Sequence, residues 1–355
     1  MHSVIHVITT LEMGGAEKQL LILASAQAKS GRRVRVCYLK GKPELESEFR
    51  ARGIEVIHLL ANKSFSSQLY LFRQIDCDAN EIVHAHLPQA ELLVALSEYR
   101  RKIVVSRHNA EPFWPNKPRL ISNALSRFVS FRAEKVIAIS NAVKDFVIER
   151  GEVGLGINVA VVYYGYEPEI STRAQRKSSL VFGTISRLTE QKDLPTMLEA
   201  FAIFAHKYPD ASLQIVGEGT LKSQLEKQIL RLGIQSNVKL MGRTSEISTF
   251  LDSLDVFLLT SRYEGFGMVL LEAISRSVPI IASNNNAVIE VLGKDSPSLF
   301  PISDIRELAD KMVRLQDIDF KKVIISSNQN RLGEFSTRKM LQSLDSIYSS
   351  AVESR

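Results

Sequence analysis

Two acids eight positions apart, Glu264 and Glu272, enclose the turn Gly265-Phe266-Gly267 and the apolar helix start Met268-Val269-Leu270-Leu271. Glu264 falls in the loop, where a carboxylate can accept from sugar hydroxyls, while Glu272 falls inside the helix and can hold another part of the same ligand. The backbone N–H groups of Gly267, Met268 and Val269 would face that ligand, and the positive end of the helix dipole favours phosphate. Plain helix surface is the competing reading for Glu272, and an acid beside four apolar residues fits it less well.

Arg187 and Lys192 stand five positions apart on a loop leaving a strand, Gly183-Thr184-Ile185-Ser186-Arg187-Leu188-Thr189-Glu190-Gln191-Lys192. A guanidinium fork and an ammonium point charge at such a place can grip a diphosphate; solvated surface charge is the alternative. The next strand closes on Val216-Gly217-Glu218-Gly219. Near the N-terminus, Met13-Gly14-Gly15-Ala16-Glu17 precedes a helical pattern over Lys18–Lys29, so the backbone at Gly15 can approach a ligand closely. Neither the dinucleotide fingerprint Gly-x-Gly-x-x-Gly nor a P-loop fits there. His108 ends a strand in Arg107-His108-Asn109, ahead of a loop holding Trp114, the single tryptophan; that place suits proton transfer or the holding of a hydroxyl, and equally a structural histidine. His84 and His86 lack a third ligand for a metal. The triplet Asp76-Cys77-Asp78 lies in the wrong half for a metal–diphosphate clamp and fits a helix end.

These residues need strands to carry them. Short apolar runs at Val4–Ile8, Val34–Leu39, Ile54–Leu59, Ile82–Ala85, Ile103–Ser106, Val136–Ile139 and Val159–Tyr163 alternate with helical patterns. The rhythm restarts at Leu180–Ile185 and runs through Ser212–Val216, Val238–Met241, Val256–Leu259 and Val278–Ala282. Two doubly wound parallel α/β sheets follow. The polar, proline-bearing stretch from Gly165 to Ser179 separates them, giving domains 1–170 and 171–355, with a last helix at about 335–350 that can pack on either. Ligands of open α/β sheets bind beyond the carboxyl ends of strands, which is where the motifs fall.

A chain of 355 residues, 45% hydrophobic and 24% charged, has the composition of two folded soluble domains, which excludes disordered and fibrous classes. The uncharged stretch from Val153 to Tyr166 is too short and too glycine-rich to span a bilayer. The first ten residues have the pattern of a strand and not of a secretory signal, which points to the cytosol. Cys37 and Cys77 form no metal or disulfide pattern and are expected as passive reduced thiols. A net charge of +6 suits nucleic acid, anionic lipid or a phosphorylated ligand alike. The runs Gly31-Arg32-Arg33, Arg100-Arg101-Lys102 and Arg173 to Lys177 are expected as solvated turns. Aromatics at 7%, scattered through core segments, give no stacking platform for nucleic acid.

Taken in order, Gly14-Gly15-Ala16-Glu17, His108, Arg187 with Lys192, and Glu264 to Glu272 around Gly-Phe-Gly resemble the signature of the retaining glycosyltransferases of family 4 (glycosyl transferases group 1). The resemblance covers nearly the whole chain, with further likeness at Val83-His84-Ala85-His86, Ile137-Ala138-Ile139-Ser140 and Val162-Tyr163-Tyr164-Gly165-Tyr166. It implies the GT-B fold, two Rossmann-like domains facing across a cleft, the first binding acceptor and the second a nucleotide-sugar donor. It assigns Arg187 and Lys192 to the diphosphate, Glu272 to the ribose and Glu264 to the hydroxyls of the transferred sugar. Gly265, Phe266, Gly267, Met268 and Val269 present backbone to the donor, His108 faces the donor sugar, Gly15 approaches the phosphates, and Arg243, beside Gly242, lies against the base.

Two departures stand out. Asn284-Asn285-Asn286 replaces the family's glycine pair after the last long strand, and Tyr164-Gly165 replaces Asn-Gly. The implied reaction transfers a sugar with retention, stabilising the leaving diphosphate by fixed cations and helix N–H groups, without metal or any cofactor beyond the nucleotide-sugar substrate. The acceptor is a glycan or lipid-linked saccharide, and the setting is cytoplasmic, at the inner face of the membrane. A basic helix over Lys117–Arg132, with Leu120, Ile121, Phe128 and Phe131 among Arg119, Arg127 and Arg132, either packs on its sheet or touches anionic lipid. An epimerase or hydrolase on the same scaffold, or a non-catalytic nucleotide-sugar sensor, are the rival functions.

Overall fold

The computed structural model describes residues 2–59, 64–76, 81–97, 102–168 and 180–353. Cys77, Asp78, Arg100, Arg101, the Arg173 to Lys177 run and the linker at 169–179, with the 170/171 boundary, lie outside the described residues. Two compact units emerge, Met1–Glu167 with Phe335–Arg355, and Pro168–Glu334.

In the first unit the elements are β1 (Val4–Ile8), α1 (Gly15–Lys29), β2 (Val34–Tyr38), α2 (Glu46–Ala51), β3 (Glu55–His58), α3 (Phe65–Arg73), β4 (Ile82–His86), α4 (Pro88–Ser97), β5 (Lys102–Arg107), α5 (Arg119–Arg132), β6 (Lys135–Ala138), α6 (Asn141–Glu149) and β7 (Val159–Val161). The second unit holds β8 (Val181–Ile185), α7 (Leu194–Lys207), β9 (Ser212–Val216), α8 (Lys222–Leu232), β10 (Val238–Gly242), α9 (Ile247–Asp252), β11 (Val256–Leu259), α10 (Met268–Ser275), β12 (Ile280–Ser283), α11 (Asn286–Leu292), β13 (Leu299–Phe300), α12 (Ile305–Arg314) and α13 (Ile318–Gln329). The final helix α14 (Thr337–Glu353) returns to the first unit, packing on α1 and β5.

Both sheets are parallel among the described strands, ordered β3-β2-β1-β4-β5-β6-β7 and β10-β9-β8-β11-β12-β13. Each order reverses once, between β1 and β4 and between β8 and β11. Loops leaving these strand pairs diverge to opposite faces, so each sheet opens a crevice there. Arg187 and Lys192 follow β8, and Glu264 to Gly267 follow β11: the second unit's motif residues flank its crevice. The short edge strand β13 was not legible in the sequence, since two residues carry no period.

Strands buried on both faces explain the near-continuous apolar runs. The second unit's core joins Phe182, Phe201, Phe204, Leu213, Ile215 and Leu258 to Leu308 and Met312 of α12. Gly165, in the departure noted above, is where α14 lands: a Cβ there would lie 2.8 Å from the Thr337 Cα, and Tyr166 bridges to Ser336. Met340, Leu344 and Tyr348 of α14 complete the cluster around Val4, Ile82 and Val104.

Three expectations about charge and packing change. Arg32 is not a solvated turn residue: it is buried, ion-paired with Asp345 and set over the Tyr348 ring, because α14 covers it. Lys102 is likewise buried, at the start of β5. Helix α5 turns Ser122, Ser126, Val129 and Ser130 inward and leaves Leu120 and Phe131 at 84% and 82% exposure, with Ile121 and Phe128 also exposed. Its apolar face is its outer face.

Candidate active site

The second unit's site is built on two loops. After β8 the chain makes a single 3-10 turn, Glu190–Lys192, and reverses at Asp193, whose φ of 46° is left-handed. Asp193 is buried and accepts from Arg262 (3.2 Å) and from the Ser303 hydroxyl, which fixes this reversal although a non-glycine residue makes it. Lys192 then reaches across to Glu264, Nζ to Oε1 2.6 Å, with side chains only 13% and 9% exposed. The same Glu264 oxygen accepts from the Ser261 hydroxyl at 2.6 Å. Thr260 donates to the Lys192 carbonyl (2.8 Å), and the Arg262 N–H to the Gln191 carbonyl (2.8 Å), so the two loops are tied backbone to backbone and side chain to side chain.

Arg187 is exposed, with its guanidinium donating to Gln191 Oε1 (3.1 Å), and Gln191 donates on to the Tyr263 carbonyl (2.9 Å). Phe266 is buried, anchoring the turn, and Gly267 at φ 89° starts α10, a conformation that favours glycine. Glu272 is half-buried in the second turn of α10. Arg243 is largely exposed and pairs with Glu218 at 3.2 Å. The departure at Asn284-Asn285-Asn286 is resolved: Asn285 caps α11 by accepting from the Val288 N–H (3.1 Å) and donates to the Ser261 carbonyl (2.9 Å), beneath Glu264. Asp193, Ser261, Gln191 and Asn285 were missed by sequence reasoning, because support of this kind leaves no spacing signal. A second Asp-x-Asp triplet, Asp317-Ile318-Asp319, was also missed; Asp317 accepts from the Asp319 and Phe320 N–H groups and starts α13.

Gly15 and His108 belong to the first unit. Gly15 opens α1, and a Cβ there would meet nothing within 4 Å, so internal packing does not require glycine. Glu17, two residues on, accepts from Thr10 at 2.6 Å, and burial raises its carboxyl above the usual range. His108 is buried and has both ring nitrogens engaged: Nδ1 with the Tyr164 hydroxyl (2.5 Å), Nε2 with His86 Nδ1 (2.9 Å). His6 supplies the third imidazole that the His84/His86 pair lacked, since β1 and β4 are in register with His6 opposite His84. Ligand atoms of His6, His84 and His86 lie within 4.8 Å of one another. Their nitrogens are nonetheless taken by hydrogen bonds, His6 Nδ1 and His86 Nε2 by each other at 3.0 Å.

Burial dominates the titration of this cluster, lowering His6 to about 4 and His108 to about 3, with His84 and His86 also well below 6.5. An unfolded chain protonates these rings below pH 6.5 while the native one does not, so their stabilisation is complete above that pH and is lost as pH falls. Glu17, Glu91 and Glu152, raised by burial, act in the opposite sense. A single-histidine difference isolates the effect. Between pH 6.5 and 5, His84→Asn should lose less stability than the wild type, the difference growing as pH falls and bounded by the about 1.4 kcal/mol per pH unit of a single proton. Urea unfolding at the two pH values measures it, and parallel losses would show that His84 titrates alike folded and unfolded.

Residues 13–170 match Glycosyltransferase Family 4 and residues 167–331 match Glycosyl transferases group 1. An uncharacterized glycosyltransferase of Methanocaldococcus jannaschii is 38% identical over 108 residues, 30% of this chain and 27% of that protein. The chain spans less than half the length of several curated relatives it matches. A relative matched nearly end to end is the Campylobacter jejuni GalNAc-alpha-(1->4)-GalNAc-alpha-(1->3)-diNAcBac-PP-undecaprenol alpha-1,4-N-acetyl-D-galactosaminyltransferase, 23% identical over 94% of this chain and 95% of that one. Anabaena HepE, solved in complex with UDP and glucose, superposes with a TM-score of 0.82 at 21% identity, over 98% of this chain and 100% of that chain, a likeness of fold. With parallel Rossmann-like sheets in both units and both halves matched, the chain has the GT-B fold and belongs to the group 1 glycosyltransferases of family 4.

Proposed function

We propose that the chain transfers a sugar, with retention of anomeric configuration, from a nucleotide-sugar donor to a glycan or lipid-linked saccharide in polysaccharide or glycolipid synthesis. The observation that carries this reading is the Lys192–Glu264 pair at the reversal point of the second sheet. A cation for the leaving diphosphate and a carboxylate for sugar hydroxyls meet there, on loops tied to one another. Arg187, exposed at the exit of β8, adds a second cation, and the positive end of α10 a third source of favourable potential. Glu272 takes the ribose, Arg243 lies by the base, and Gly265 to Val269 present backbone. Charge on the departing diphosphate is met by these groups, so metal is not required, and activity should persist in a chelator.

In the first unit, His108 meets the donor sugar only by exchanging one of its present partners, and Tyr164 is the exchangeable one. The acceptor's lipid is suggested by relatives named for undecaprenol-linked substrates, and uracil as the donor's base by the neighbour complexed with UDP. Thermal-shift measurements with UDP-, GDP- and ADP-sugars, then product analysis with undecaprenyl-diphosphate-linked saccharides, test the function. Donor consumed without acceptor, or bound and never consumed, would reject it in favour of a hydrolase, an epimerase or a sensor.

The outward apolar face of α5 supports contact with an anionic membrane. Leu120, Ile121, Phe128 and Phe131 are exposed beside Arg119 and Arg127, which donate to the Arg150 and Gly151 carbonyls and bring the turn carrying fully exposed Leu155 alongside. Inserting one Leu or Phe side chain contributes ~1.5–3 kcal/mol. The double substitution Leu120→Glu/Phe131→Glu should therefore reduce flotation with anionic liposomes by at least about a hundredfold in partition constant. Equal flotation of the variant, or none by the wild type, would discard the membrane contact.

A further inference from the structure

His108 is the end of a longer chain. From it, hydrogen bonds run through His86 (2.9 Å) to His6 (3.0 Å), from His6 Nε2 to Gln27 Oε1 (2.7 Å), from Gln27 Nε2 to the Tyr348 hydroxyl (3.4 Å), on to His84 Nδ1 (2.7 Å), and from His84 Nε2 to Ser106 (2.7 Å). Alternate residues of β4 and their neighbours on β1 and β5 put these groups on one face of the sheet, under Gln27 of α1 and Tyr348 of α14. All members are buried, and each histidine nitrogen meets a neutral partner. Charged groups stand outside the chain: Arg32 toward His6, Arg107 toward His108 and Glu17 toward Tyr164. Burial keeps the four imidazoles neutral, so each has one donor and one acceptor nitrogen.

A neutral imidazole passes polarity on: accepting at one nitrogen, it must donate at the other. Tyrosine and serine hydroxyls can do either, so they impose no direction. Only the Gln27 amide has chemically distinct ends. Its oxygen obliges His6 to donate from Nε2; His6 Nδ1 then accepts from His86 Nε2, and His86 Nδ1 from His108 Nε2. His108 Nδ1 is left as an acceptor, filled by the Tyr164 hydroxyl.

We propose that Gln27 is a positioning residue which, through His6 and His86, locks His108 as its Nε2–H tautomer and so presents Nδ1 as a hydroxyl acceptor, to Tyr164 and in its place to a hydroxyl of the donor sugar. The sugar half of this statement rests on the function proposed above; the tautomer half does not, and is read without turnover.

Long-range 1H–15N correlation spectra of the ring-15N-labelled protein at neutral pH report each tautomer. His6, His86 and His108 are expected as single Nε2–H forms. Tyr164→Phe removes the far end, which sets no direction, and should preserve them. Gln27→Leu frees the polarity, and His108 should become a mixture of both tautomers. An Nδ1–H form at any of the three in the wild type, loss of the Nε2–H form at His108 in Tyr164→Phe, or an unchanged spectrum in Gln27→Leu would overturn the assignment. If Gln27→Leu does not fold, the wild-type and Tyr164→Phe spectra decide alone. A correct tautomer pattern in a protein that transfers no sugar would refute the function and leave the lock standing.

Discussion

Lys192→Ala lowers turnover of the nucleotide sugar by ten- to about a hundredfold, with donor affinity falling less than turnover. A charge-assisted contact is worth ~1.5–3 kcal/mol, and its value rises as negative charge collects on the leaving diphosphate. The structure adds a complication that the sequence did not show. Lys192 is also the partner of a nearly buried Glu264, so its removal leaves that carboxylate with only Ser261 from the described pair of contacts. Some stability is lost with it, as when one member of any desolvated ion pair is deleted. The double variant Lys192→Ala/Glu264→Ala isolates the structural part: its unfolding temperature should recover toward wild type, while its turnover stays low because the sugar-binding carboxylate is gone as well. Full steady-state activity in Lys192→Ala would remove the lysine from diphosphate binding, and no recovery of the unfolding temperature in the double variant would show that the pair does not stabilise the fold.

Gly217→Ala should be among the most damaging single changes in the second unit, costing ~4 kcal/mol or more. Its φ is +139°, and an added Cβ would stand 1.9 Å from the Ser186 carbonyl oxygen, a backbone atom that cannot move aside. The crowding is what holds the site. Gly217 and Gly219 let the loop after β9 lie on the Ser186–Leu188 backbone, where Ser186 donates to the Val216 carbonyl and Leu188 to that of Glu218, both at 2.9 Å. That contact sets the exit of β8 and hence the loop carrying Arg187 and Lys192. Gly233→Ala is the control: φ is +71° but nothing lies within 4 Å, so only the backbone cost of about 1 kcal/mol applies. Denaturant midpoints measure both, and equal losses would show that the contact at Ser186 is soft.

Most strands were legible because parallel strands buried on both faces write continuous apolar runs, and those at Val4–Ile8, Ser212–Val216 and Val256–Leu259 appear where the pattern placed them. Their ends drifted by a residue or two elsewhere, since apolar runs do not stop where pairing does. Glu264, Glu272, Arg187 and Lys192 were legible because glycine turns after strands mark backbone that must bend or be approached closely. Gly217-Glu218-Gly219 was visible as a turn, but the Ser186 carbonyl that demands it lies far away in the chain, just past the end of β8.

The sequence by itself determined the class of fold, the family and the residue types available to a diphosphate and a sugar, because those depend on local period, turn chemistry and motif spacing. It did not determine what each charged or titratable group meets. That Arg32 is buried under α14, that α5 turns serines inward and phenylalanines outward, and that His6 of β1, His86 of β4 and His108 just past β5 share one directed chain anchored at Gln27 were decided by the tertiary structure. The reason is physical: burial and hydrogen-bond polarity are properties of neighbours brought together through space, and sequence spacing records only neighbours along the chain.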